Sequence, residues 1–192
     1  MCSTSEKQSL AGAPRKRPPR DEAVDTLVEA AISGDPDSFT ELCRRHYPAM
    51  VAIAHSVLGD RHLAEDAAQQ AFAKAAVKLP QLKKKGQFAK WLAAICRNTA
   101  KDMARSIKPL HSADDVSMIA AQPHEESANE AVKEALGRLS ASVREVIFLR
   151  YYDGMSYEQI SAVLGISQQA INGRLRRAKK KLADYLRRKG FG

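Results

Sequence analysis

A chain of 192 residues has room for one ordinary domain or two small ones. Its 31 Lys and Arg against 22 Asp and Glu leave a net charge of +9, and 44% hydrophobic residues argue against wholesale disorder. The basic balance favours an anionic partner, nucleic acid or a charged surface. Ten Gly and eight Pro are too few for an all-β chain, which needs many tight turns.

Three cysteines, Cys2, Cys43 and Cys96, lie far apart with no CxxC pair, which speaks against a disulfide framework or a four-ligand zinc site. The five histidines, His46, His55, His62, His111 and His124, lack metal-ligand spacing, and no metal or cofactor is expected. No apolar run reaches the ~18 residues of a membrane span, and none follows the N-terminal basic residues as a secretory signal requires. A cytoplasmic protein without membrane insertion is expected.

Residues 1–21, with Pro14, Pro18 and Pro19 among Arg and Lys, read as a disordered basic arm. Val24, Leu27, Val28, Ala31 and Ile32 then recur at helical spacing. Gly34 stops that helix, and Asp35 before Pro36 caps the next. The second helix carries Phe39, Leu42, Cys43, Tyr47, Met50, Val51, Ala54, Val57 and Leu58, with a kink expected at Pro48. After Gly59 a third presents Leu63, Ala67, Ala68, Ala71, Phe72, Ala75 and Leu79. A basic loop with Lys83, Lys84 and Lys85 leads to a fourth, which carries Phe88, Trp91, Leu92, Ile95, Thr99 and Met103, with Trp91 read as core.

Residues 22–106 thus form a helical domain. Residues 107–127, with Asp114, Asp115, Glu125 and Glu126 among Ser, Ala and Pro, read as a flexible acidic linker. Residues 128–192 form a second helical domain. There Ala131, Val132, Ala135, Leu136 and Leu139 line one helix, and Val143, Val146, Ile147 and Tyr151 another. Ser156 with Gln159 makes a capping box, a short helix stops at Gly165, and Ser167 caps the last helix. The fold class is all-α, two small helical domains joined by a flexible linker.

Helix, glycine turn and helix over 157–188 spell a helix-turn-helix, whose second helix enters the major groove with its N-terminal residues at the base edges. Ile171, Leu175, Ala178, Leu182 and Tyr185 form one stripe at ~3.6 residues per turn. Gln169, Gly173, Arg176 and Lys180 then face the other way, flanked by Asn172 and Arg177. Gln and Asn pair bidentately with adenine and Arg with guanine, while glycine admits close backbone approach. From Ile166 onward nine basic residues face Asp184 alone, a footprint suited to phosphate.

The stretch LSASVREVIFLRYYDGMSYEQISAVLGISQQAINGRLRRAKKKL over 139–182 resembles region 4 of extracytoplasmic-function sigma factors, subunits of bacterial RNA polymerase. Leu27-Val28 through Gly34-Asp35, Phe39 to Tyr47, AEDAAQQAF at 64–72 and FAKWLAAICRNTAKDMAR at 88–105 resemble region 2 of the same family, in order and spacing. The resemblance implies a non-enzymatic factor that binds core polymerase through its β′ and β subunits, recognises minus-10 and minus-35 promoter elements, and is monomeric when free. It also implies an anti-sigma partner. By the same resemblance Asp66, Gln69, Gln70 and Phe72 dock on polymerase, with Gln70 where relatives carry Glu. Lys83, Lys84, Lys85, Asn98, Lys101 and Asp102 meet the minus-10 element. Ser167, Gln168, Gln169, Asn172, Gly173, Arg174, Arg176, Arg177 and Lys180 meet the minus-35 element, with Asn172-Gly173 where relatives carry Lys-Ser.

Two other readings compete. A stand-alone helix-turn-helix regulator has no need of AEDAAQQAF or of the RNTAKDMAR helix. An enzyme on DNA needs a polar nucleophile pocket or a carboxylate metal cluster, where the first domain offers alanine-rich packing helices.

If residues 107–127 act only as a tether, promoter activity survives scrambling of their sequence and falls when most of them are deleted, because effective concentration holds two modest sites together only while the linker spans them. Reporter transcription from a responsive promoter measures both, and full activity after the deletion refutes the tether.

Overall fold

A computed structural model of the chain describes residues 20–107 and 123–191. The basic arm up to Pro19 and residues 108–122 of the linker lie outside the described residues. Eight α-helices and no strand occur among those described, in agreement with an all-α fold of two regions.

Short capping devices set the boundaries. Helix α1 (Arg20–Ile32) ends before Gly34, whose φ of 97° is left-handed. The Asp35 carboxylate accepts from the amides of Asp37 and Ser38 at 3.3 and 3.2 Å, and Pro36 opens α2 (Pro36–Leu58). This helix passes through Pro48 as one 23-residue element, with the proline exposed. Asp60 caps α3 (Arg61–Lys78) by accepting from the Leu63 amide at 2.9 Å. The three lysines occupy the connection to α4 (Phe88–Ile107), which buries Phe88, Leu92, Ala93, Cys96, Thr99 and Ala100. Trp91 tilts over Phe88 at 5.9 Å, packed against the core as its neighbours imply.

In the second region α5 (Pro123–Gly137) starts five residues before the domain boundary expected at 128. Ala131, Ala135 and Leu139 turn inward, but Val132 is exposed. Helix α6 (Ala141–Ile147) runs into a π-helical turn, Phe148–Tyr152. Within this wider turn the side chains rotate out of the α-helical register, so that Leu149 is buried and Tyr151 is exposed rather than in line with Val143 and Val146. The Ser156–Gln159 capping box, with bonds of 3.2 and 2.8 Å, opens α7 (Tyr157–Leu164). Gly165, at φ 67° and ψ 34°, turns the chain into α8 (Gln168–Arg188).

Packing departs from two independent cores. Residues 49 to 54 of α2 are all buried, so this stretch has no side left for water. Helices α3 and α4 cover one side, and the alanines of α3 (Ala64, Ala67, Ala68, Ala71, Ala75) permit a close approach. Helix α6 and the π turn of the second region cover the rest. One hydrophobic cluster therefore extends from Val28 to Leu175 across both regions. Polar contacts rivet the seam. Arg97 Nε and Nη2 donate to Glu145 Oε1 at 2.9 and 2.7 Å, Arg144 Nε donates to the Ser56 carbonyl, and Arg61 Nη1 donates to the Tyr152 hydroxyl at 2.8 Å. The His55 ring stands edge-on to Phe148 at 4.8 Å and to Tyr152 at 5.2 Å.

Two half-buried imidazoles make stability depend on pH. Burial lowers the pKa of His46, which pairs through Nδ1 with the Leu42 carbonyl at 2.8 Å and sits edge-on to Phe88. Burial also lowers that of His55, beside Asp60 and Arg61, whose charges act in opposite senses. The unfolded chain protonates near pH ~6.5 and the folded chain only below it, so stability is full above that value and declines as pH falls through it. Thermal melting should therefore fall from pH 7.5 to pH 5, and by less in a His46→Gln, His55→Gln variant. An equal fall in that variant would show that other groups govern the acid response.

Candidate nucleic-acid interface

Helix α8 presents its outer face because its inner face is fully spoken for. Ile171, Leu175, Ala178 and Tyr185 are buried. Ser167 accepts from the Ala170 amide at 3.2 Å, fixing the helix start directly after the Gly165 turn. The opposite surface then exposes Gln168, Gln169, Asn172, Arg176, Arg177 and Lys180. Arg177 reaches back over Gly173, its Nη1 3.6 Å from where a Cβ would stand, so a side chain there would meet a guanidinium. Arg174 is half-buried and its Nη1 lies 3.4 Å from the Ser142 carbonyl, which ties it to α6 rather than leaving it among the exposed side chains. The Ser161 hydroxyl donates to the Ile166 carbonyl at 2.7 Å and stiffens the turn between the two helices.

A second polar surface lies on α4 and the loop before it. Asn98, Lys101 and Asp102 are exposed, as are Lys83 and Lys84. Two acidic partners temper this surface. Glu29 of α1 pairs with Lys85, and Asp102 holds Arg105 at 3.1 Å. Asp25 of α1 also stands over Gly86, its carboxylate oxygens 3.6 and 3.7 Å from the Cβ position. Helix α1 thus braces the basic loop through two residues a turn apart, which the sequence reading passed over.

A third surface runs along α3, where Asp66, Gln69 and Gln70 are exposed. Phe72 does not join them. It is 8% exposed and stacks on Tyr47 at 6.3 Å, so it supports the helix from inside. On α4, Lys90, Arg97 and Lys101 are spaced seven and four apart and so share one helix face.

Among the described residues no group of His, Cys, Asp and Glu could hold a metal ion, and no helix is long and apolar enough to cross a membrane.

Residues 42–108 match sigma-70 region 2, and residues 129–182 match sigma-70 region 4. The chain is 31% identical over 168 residues to a probable RNA polymerase sigma factor, RfaY, of Xanthomonas campestris, covering 81% of this chain and 42% of that one. It is 30% identical over 181 residues to the ECF RNA polymerase sigma factor SigE of Mycolicibacterium smegmatis, covering 88% of this chain and 70% of that one. Among solved structures, CnrH in complex with the cytosolic domain of CnrY superposes with a TM-score of 0.60 at 30% identity, over 85% of this chain and 97% of that one. The sigma factor RpoE of Bartonella quintana, in complex with the anti-sigma factor NepR, gives 0.52 at 28% identity, over 78% and 96%.

Position along α8 separates base reading from phosphate contact. If α8 enters a major groove, Asn172 and Arg176, in its first half, would come within reach of base edges, and Lys180, further on, would lie near the backbone. Arg176→Ala should cost ~1–3 kcal/mol at one or two base positions, and Lys180→Ala should weaken all sequences alike while lowering the salt slope by about one. Binding to a randomised duplex library at two salt concentrations reads both. A uniform loss for Arg176 would move it to the phosphate class.

Proposed function

This chain belongs to the sigma-70 family of RNA polymerase sigma factors, in its extracytoplasmic-function group, and on that premise we propose how its three exposed surfaces divide the work of promoter recognition. The α3 surface of Asp66, Gln69 and Gln70 docks on core polymerase through β′. The α4 surface and its basic loop meet the minus-10 element, and α8 reads the minus-35 element, while the second region also meets β. The chain is a non-catalytic subunit that directs initiation, acts in the cytoplasm with polymerase, and is monomeric when free. An anti-sigma factor is a further partner, a reading supported by the relative solved with one.

The observation that carries this division is the pairing of two exposed surfaces rich in cations with a third that is polar but not basic. Asp66, Gln69 and Gln70 bring one carboxylate and two amides, a set suited to a protein partner and ill suited to phosphate. Such a surface has no use in a regulator that acts without polymerase. The loop lysines fit the freed strand of an opened duplex, where cationic contacts offset part of the cost of unstacking. Glu29 on Lys85 limits how tightly that loop grips any DNA, which favours contacts made only once a strand is freed.

Run-off transcription with purified core polymerase tests the proposal directly. The wild-type chain should initiate at defined sites, and Asp66→Ala with Gln69→Ala should weaken holoenzyme assembly by about 2 kcal/mol, roughly thirtyfold, while helicity is unchanged. Assembly at wild-type strength would remove α3 as the docking surface.

A further inference from the structure

Helix α1 is fixed to the core by Val28, which is fully buried, with Val24, Leu27 and Ala31 packed beside it. The same helix carries Asp25 and Glu29 four residues apart on one face. Two like charges at that spacing disfavour a helix unless a cation answers them. The answer comes from the loop before α4. Lys85 Nζ pairs with the Glu29 carboxylate, and the Asp25 carboxylate oxygens lie 3.6 and 3.7 Å from the Cβ position of Gly86, the next residue. Backbone turns hold the loop on either side. The Leu82 amide donates to the Leu79 carbonyl at 3.0 Å, the Gln87 amide donates to the Lys84 carbonyl at 3.0 Å, and Leu79 and Phe88 are buried at the two ends. Lys83 and Lys84 are exposed between these anchors, whereas Lys85 is half-buried and turned to an acidic partner.

From this arrangement we propose that the three loop lysines do two different things. Glu29 holds Lys85 as a strut that fixes the loop against α1, and Lys83 and Lys84 offer their charges to the phosphates of the minus-10 strand. Glu29 is thus a positioning residue for promoter recognition, on a helix outside the minus-10 set. The proposal rests on the reading of the loop as a minus-10 contact and narrows it by one residue. A lysine already neutralised by a carboxylate has little charge left to displace counterions from a phosphate. Asp25 adds a second negative charge on the same side, within a Debye length of the loop, so a strand is repelled from α1 and kept to the side of Lys83 and Lys84. An exposed ion pair shifts a local equilibrium by at most about fivefold. That is too little to govern folding, and enough to favour one placement of a short loop whose two free cations must meet a strand together.

The test uses the full chain with a fluorescein-labelled dT20 oligonucleotide, and the same variants assembled with core polymerase, each checked for helicity by circular dichroism. In dT20 binding across salt concentrations, Lys83→Met and Lys84→Met should each flatten the salt slope by ~0.7, the contribution of one phosphate of a single strand. Lys85→Met should leave the slope where it is. Glu29→Gln should steepen it by ~0.7, because the freed Lys85 then meets a phosphate, and adding Lys85→Met should cancel that gain. The cations of α8 contribute equally to all these variants and drop out of the comparison. In holoenzyme, selection from a library randomised at the minus-10 element should lose about two- to fivefold of its preference with Lys85→Met. The charge swap Glu29→Lys with Lys85→Glu rebuilds the pair in the opposite sense and should recover that preference, whereas Lys85→Glu alone should not.

A slope that falls by ~0.7 in Lys85→Met makes that lysine a phosphate contact and overturns the strut. A helical swap variant that fails to recover the preference overturns it as well. The underlying reading fails in a different way. If none of the three lysine variants moves the slope or the minus-10 preference, the loop does not meet DNA and the proposal falls with that assignment. If all three flatten the slope, the assignment stands and the division of labour among the lysines falls.

Discussion

Six consecutive residues of α2, from Ala49 to Ala54, have no face toward water, and that constraint organises the rest of the molecule. A helix buried all round needs neighbours on every side. The alanine face of α3 and the larger face of α4 supply two of them within the first region. The remaining side is closed by α6 and the π turn, which belong to a domain that begins beyond the linker. Burial of Leu149, Ile160 and Ile171 in the same cluster as Ile53 and Leu92 follows from this closure.

The seam is apolar in its middle and charged at its margins, and the two parts do different work. Phe148 and Tyr152 against His55 supply area, at roughly 25 cal/mol per Å² removed from water. Arg97 with Glu145 supplies registry. A buried pair of this kind contributes little net stability, because desolvation offsets most of the attraction, yet it penalises any arrangement that leaves one partner alone. Cys96, next along α4, reports the same low-polarity setting. Burial pushes its thiol up to about 12, with the Glu145 charge acting in the same direction and Arg97 against it.

Charge is distributed unevenly over the surfaces left outside. On α4 and its loop the cations are checked by Glu29, Asp102 and Glu145. On α8 the check is Asp184, which reaches Arg187 at 3.5 Å and leaves the first half of the helix free of acidic groups. Cations with no acidic neighbour are therefore concentrated on the first half of α8, in the second region.

Local signals in the sequence determined the helices and most of their ends. Asp35 before Pro36, Gly59, the Ser156–Gln159 box, Gly165 and Ser167 each act within four residues, through hydrogen bonds or a left-handed φ that neighbours alone decide. The exposure of three polar helix faces was legible for the same reason, since helical spacing places Asp66 with Gln70 and Gln169 with Arg176 whatever surrounds them. Tertiary structure decided what spacing leaves open. The π turn moved Tyr151 outward, Phe72 was drawn in by Tyr47, Arg174 was tied to Ser142, and Glu145 was brought to Arg97 across 48 residues. These outcomes depend on which apolar surfaces remain uncovered after each helix has formed, a sum over distant residues that no local pattern contains.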